Sequence, residues 1–154
     1  MNKIIKIFFI IFLLNGCGYQ PILLKKNYDF SFTKIELNGD LVINEIIKNY
    51  LSERINIKAI KKYNLYISSI KNKEIVSSNK KGDPTIYKLN IIVDYNLSKN
   101  GEIIFRNKIL KQTTYNNIND KFELLKYEEN IVKNLSERFA DDILISTTAL
   151  KNDF

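Results

Sequence analysis

The sequence predicts an α+β fold: a two-layer sandwich with two helices on one face of a four-stranded, mostly antiparallel sheet, in the order β-α-β-β-β-α. Three observations predict it. Over 86–97, Tyr87, Leu89, Ile91, Val93, Tyr95 and Leu97 are apolar on one parity, while Lys88, Asn90, Asp94 and Asn96 are polar on the other. That alternation is the signature of a strand with one buried and one wet face. Two other segments, 41–55 and 121–145, carry apolar residues at helical spacing instead. Each begins just after an aspartate, Asp40 or Asp120, whose carboxylate can accept from the free N–H groups of a first helical turn.

The first strand covers 28–37. Phe30 and Phe32 share one parity and Ile35 and Leu37 the other. A bulge or bend at Thr33-Lys34 reconciles them, because an extra residue flips the facing of everything after it. Asn38-Gly39-Asp40 turns the chain into the first helix, whose stripe is Ile43, Ile46, Ile47, Tyr50, Leu51 and Ile55, with Asn44, Glu45, Lys48, Asn49 and Ser52 facing away. A second strand follows at 63–70, with Leu65 and Ile67 inward. The stretch 71–85 is polar apart from Ile75 and Val76, ends in Gly82-Asp83-Pro84, and reads as the longest loop, with strand extensions at its edges.

The strand at 86–97 turns at Ser98-Lys99-Asn100-Gly101. Parity selects the turn. A two-residue Asn100-Gly101 loop sets Tyr95 opposite Arg106, whereas a three-residue loop over 99–101 pairs Leu97 with Ile103 and Tyr95 with Phe105, so the three-residue form is expected. The fourth strand runs on to Tyr115, with Asn107 a polar break on its inner face, opposite Val93 near an edge or marking a bulge. After a loop at 116–119, Asp120 and Glu123 have capping-box spacing. The last helix buries Leu124, Ile131, Val132, Leu135, Phe139 and Ile143, and residues from Ser146 onward form a frayed tail.

Ahead of this domain stands a targeting segment. A basic head (Lys3, Lys6) and an apolar run over 7–14 have the form of a secretory signal peptide. The run falls short of the roughly 20 apolar residues that cross a bilayer. It ends in Leu14-Asn15-Gly16-Cys17, and Cys17 is the only cysteine of the 154 residues. These four residues resemble a bacterial lipobox. The resemblance implies that the Cys17 thiol takes a diacylglycerol, that cleavage precedes Cys17, and that the new amine is acylated. A thiolate is the nucleophile such a step needs, and several acyl chains hold a protein far better than one. An ordinary N-terminal strand with a buried cysteine would leave the basic head and apolar run without a purpose. The expected organisation is a signal peptide at 1–16, a lipidated tether at 17–27 and a single α+β domain at 28–154. Gly18 lacks the acidic mark of inner-membrane retention that such signals carry, which favours the outer membrane.

Removing 1–16 leaves 138 residues with 22 basic and 17 acidic side chains, a net charge of +5. That balance suits an acidic or phosphate-bearing partner; nucleic acid is not expected of an exported chain. There is no histidine and no tryptophan. Without histidine or a second cysteine, zinc sites and Ser-His or Cys-His catalysis have no residues to build on. The acid pairs Glu128-Glu129 and Asp141-Asp142 sit on a predicted amphipathic helix, where a solvated face is the ordinary explanation, and Asp94 reads as a cross-strand ion-pair partner. No catalytic residue, metal ligand or dissociable cofactor is expected. The basic groups around the second strand and the following loop read first as a solvated, edge-protecting segment and second as contacts for phosphates or acidic sugars.

Taken together, Cys17-Gly18-Tyr19-Gln20-Pro21, the element order, the Thr85-Ile86-Tyr87-Lys88-Leu89 strand opening, Gly101, the Thr113-Thr114-Tyr115-Asn116 strand end and Ala140-Asp141-Asp142-Ile143 resemble the lipopolysaccharide-assembly lipoproteins of the LptE type. The resemblance implies a non-catalytic function. The lipoprotein sits on the periplasmic side of the outer membrane, held by its lipid anchor. There it plugs a large outer-membrane β-barrel, and the pair delivers lipopolysaccharide to the outer leaflet. It also implies basic lipopolysaccharide contacts, for which Lys71, Lys73, Lys80, Lys81 and Lys88 are the candidates. The alternative is a periplasmic accessory lipoprotein of a transporter or a cell-wall synthase complex.

Overall fold

The computed structural model describes residues 28–150. The signal peptide, the tether with Cys17 and residues 151–154 lie outside them. The elements are β1 (Phe30–Gly39), α1 (Leu41–Ser52), β2 (Lys61–Ser78), β3 (Pro84–Lys99), β4 (Glu102–Asn116) and α2 (Lys121–Ala149). The strands lie in the order β1-β2-β3-β4. β1 pairs with β2 in parallel, because α1 carries the chain back across the sheet between them, and the other two pairings are antiparallel hairpins. The sheet is therefore mixed, the antiparallel ladders being the longer ones.

One core lies between the sheet and the helices. It takes Leu65 and Ile67 from β2, Leu89 to Leu97 at odd positions from β3, Ile43, Ile47 and Leu51 from α1, and Leu135, Phe139, Ile143 and Leu144 from α2. The bulge expected in β1 is present: the β1–β2 register shifts between Phe32 and Lys34. Asp40 caps α1, its Oδ1 accepting from the N–H of Ile43 at 3.1 Å. Asp120 caps α2 through the N–H groups of Phe122 and Glu123.

Gly39 ends β1 with φ +87°, and a Cβ there would lie 2.0 Å from the carbonyl oxygen of Ser69. Only glycine lets the backbone of β1 approach β2 this closely while turning left-handed. That same carbonyl accepts from the N–H of Asp40 at 3.0 Å, so one joint both ends β1 and starts α1.

Several expectations change. α1 stops at Ser52, three residues early, and Ile55 instead bridges to Tyr28. Asn44 does not face solvent. It is fully buried and its Nδ2 donates to the Asn38 carbonyl at 2.6 Å, so it serves the β1–α1 joint. Most of the expected loop at 71–85 is strand: β2 continues to Ser78, and only 79–83 turn. The turn is tied by the Asn79 side chain, whose Oδ1 accepts from the N–H groups of Lys81 and Asp83.

The β3–β4 turn is a two-residue one. Asn100 (φ 55°) and Gly101 (φ 87°) are both left-handed, as a type I′ hairpin requires. Parity is restored within β4 instead: Ser98 pairs with Ile103 and Leu97 with Phe105, leaving Ile104 as a bulge. Tyr95 therefore faces Asn107, not Phe105. Residues 146–149 of the expected frayed tail are helix instead, with Thr147 buried on α2.

Candidate functional site

The helices cover one face of the sheet and leave the other open. The open face is built from the even positions of β2, β3 and β4, because side chains alternate along a strand. Cross-strand register sets it out in rows: Tyr66, Asn96 and Arg106; Ser68, Asp94 and Lys108; Ile70, Ile92 and Leu110; Asn72, Asn90 and Gln112. The third row is an apolar ridge across a polar surface, with Ile70 62% and Leu110 56% exposed.

Two shallow grooves flank Tyr66. One, of about 350 Å³, runs from Tyr66 past Asp94 to Arg106 and Lys108. The other, of about 300 Å³, lies between Glu36, Tyr66 and Asn96. Asp94 stands opposite Lys108 in register, but among the described residues the two do not close to ion-pair distance. The expected Asp94 ion pair is therefore absent, which leaves Asp94, Arg106 and Lys108 as open hydrogen-bonding and charged groups. The surface offers donors, acceptors and one aliphatic row, the equipment of a docking face.

The five candidate lysines do not form one cluster. Lys71 and Lys73 lie on the helix side of β2, on the parity of Leu65 and Ile67. Lys71 pairs with Asp40 at 3.3 Å. Lys73 pairs with Glu128 and lies over the Tyr87 ring at 4.0 Å. Lys88 is on the open face, paired with Glu74 at 3.3 Å. Lys80 and Lys81 occupy the β2–β3 turn and have no carboxylate partner among the described residues. What separates the five is the strand continuing past residue 71: it holds Lys71 and Lys73 on the helix side, carries Lys80 and Lys81 out to the turn, and leaves Lys88 at an even position of β3 on the open face.

Of the two acid pairs, Glu129 is exposed as expected, whereas Glu128, Asp141 and Asp142 hold structural contacts. Glu128 accepts from the Tyr115 hydroxyl at 2.8 Å and so ties α2 to β4. Asp141 accepts from the Tyr50 hydroxyl at 2.8 Å and ties α2 to α1. Asp142 pairs with Lys111 at 2.6 Å. Both tyrosines are pushed upward, first by burial and then by these hydrogen bonds to carboxylates, Tyr50 to about 12. No group of three or more acidic, histidine or cysteine side chains that could hold a metal ion occurs among the described residues. No helix among them is long and apolar enough to cross a membrane.

A two-layer sandwich of this element order is also the fold of several bacterial lipoproteins of known structure. The chain shares its fold with rare lipoprotein B from Shewanella oneidensis, at 16% identity and a TM-score of 0.59 over 78% of this chain and 97% of that one. It shares it also with lipoprotein B from Nitrosomonas europaea (17% identity, TM-score 0.56, 83% of this chain and 90% of that one). A lipoprotein from Caulobacter crescentus is similar at 15% identity and a TM-score of 0.51, over 75% of this chain and 88% of that one. At these identities the likeness is one of fold. Neither a family model nor a curated protein sequence matches the chain.

Proposed function

We propose that this chain is an outer-membrane lipoprotein that plugs a large β-barrel translocon and assists its assembly, the pair delivering lipopolysaccharide to the outer leaflet. The observation that carries the reading is the coincidence of two independent features. A lipobox-like Leu14-Asn15-Gly16-Cys17 stands ahead of a domain whose fold is that of rare lipoprotein B. Diacylglycerol and an N-acyl chain on Cys17 anchor it on the periplasmic side. The open sheet face supports the plug role physically: a lumen lined with polar side chains is filled best by a rigid surface that returns hydrogen bonds, and Asp94, Arg106 and Lys108 are open to meet partners of opposite charge across it. Lys80 and Lys81 are free to meet lipid A phosphates, whereas Lys71, Lys73 and Lys88 must first release a carboxylate.

Co-purification tests the reading. A C-terminally tagged chain, extracted from membranes in mild detergent, is expected to bring down a large outer-membrane β-barrel in stoichiometric amount. Recovery of an inner-membrane transporter or a cell-wall synthase instead would replace this reading with that of a periplasmic accessory lipoprotein.

A further inference from the structure

On the helix side of the sheet, α1 and α2 are tied together where Tyr50 donates to Asp141. Toward their N-terminal ends they frame a cleft of about 570 Å³ over β2 and β3. Val42 and Ile46 form one wall, Leu125 and Val132 the other, and Leu89 the floor. Two of these wall residues are unusually open for apolar side chains facing a concave site: Val42 is 60% and Leu125 53% exposed. The first turns of the two helices add Leu41 and Phe122, 72% and 63% exposed.

The cleft leaves no ammonium group free. Lys71 and Lys73 supply two ammonium groups, and Glu128 and Glu129 two carboxylates. Lys73 is already paired with Glu128, and Lys71 with Asp40 at the rim. With Asp40 counted, three carboxylates face two ammonium groups, so the site has no free cation for an anionic group and suits an uncharged occupant. Its volume lies within the roughly 300–1,000 Å³ of small-molecule sites.

We propose that this cleft binds a single hydrocarbon chain of a lipid, taken up from outside the protein, with the lipid's head group left in solvent. Burial of apolar surface on Val42, Ile46 and Leu125 supplies the affinity, and with no free ammonium group the cleft gives no preference to an anionic head group. The site lies on the opposite face of the sheet from the one assigned to the barrel, and it does not depend on that assignment.

The test uses the full lipoprotein reconstituted in phosphatidylcholine vesicles, with two photoactivatable probes: a diazirine-bearing hexadecanoic acid and the hexadecanol bearing the same diazirine. Both probes are expected to label the peptides that carry Val42 and Ile46 and those that carry Leu125 and Val132, to within about threefold of each other. The Val42→Gln, Leu125→Gln double variant is expected to lose about tenfold of the labelling, since apolar contact is the driving force. Its thermal midpoint is expected to hold, because both residues are exposed. Label absent from these peptides, or retained in the double variant, would overturn the site. A strong preference for the acid over the alcohol would overturn the claim that an anionic head group gains no preference and assign binding to Lys71 and Lys73.

Discussion

The Tyr95 hydroxyl donates to Ser146 Oγ at 2.8 Å, inside a core where Tyr95 has no solvent exposure. The Ser146 hydroxyl donates in turn to the main-chain carbonyl of Asp142 at 2.8 Å, and Asn107 Nδ2 approaches the Tyr95 oxygen from β4 at 3.5 Å. A polar line therefore crosses from β4 through β3 to α2. It explains why Asn107 stands on the inner face of β4, and it sets how far along the sheet α2 lies. Tyr95→Phe keeps the ring and strands the Asn107 amide, so a loss of about 1–2 kcal/mol is expected in urea unfolding.

The Tyr50–Asp141 latch makes stability fall in alkali. Tyr50 holds its proton up to about 12 in the folded state, against the usual value of 10.0. Below pH 10 the tyrosine is protonated in both states and its contribution is constant. Between about pH 10 and 12 the unfolded chain releases the proton first, so stability drops as pH rises. The midpoint of urea unfolding, followed from pH 8 to 12, is expected to decline steeply above pH 10. In Tyr50→Phe the decline is expected to be shallower, with the remainder coming from Tyr115, raised by burial and Glu128, and from Tyr28, raised by burial and Asp141.

Gly39→Ala is expected to be among the most costly single-methyl additions in the chain. The new Cβ meets backbone at 2.0 Å, and φ is left-handed. Left-handed backbone and overpacking together cost about 3 kcal/mol. Gly101→Ala shares the positive φ but has open space around it, so only the conformational cost of about 1–2 kcal/mol is expected. Thermal unfolding of the two variants side by side separates the clash from the strain.

Lipopolysaccharide binding should divide the lysines. Lys80→Gln with Lys81→Gln is expected to weaken binding by several-fold, with a reduced salt dependence, because two unpaired ammonium groups are removed. Lys88→Gln is expected to change binding little, since Lys88 is paired with Glu74. A surface-plasmon measurement on immobilised lipid A at two salt concentrations reads both effects. Equal losses from all three substitutions would show that ion pairing does not set availability.

The sequence by itself determined the element order, both helix caps, the β1 bulge and the inward parity of β3. Each of these is written in neighbours a few residues apart: a period of two or of 3.6, or an aspartate ahead of an apolar stripe. What lay beyond its reach depends on residues far away in the chain. The second half of β2 carries Lys71 and Lys73 at inward positions, so its alternation is invisible until Asp40 and Glu128 arrive from two helices to meet them. Asn44 and Asn107 read as solvent-facing or anomalous until Asn38 and Tyr95 supply partners. Parity correctly demanded one extra residue in the β3–β4 hairpin, but tertiary structure put it at Ile104 in the strand, because Asn100-Gly101 closes a two-residue turn with little strain. The open sheet face and the apolar cleft belong wholly to the tertiary structure, since each is lined from several elements whose approach no local pattern encodes.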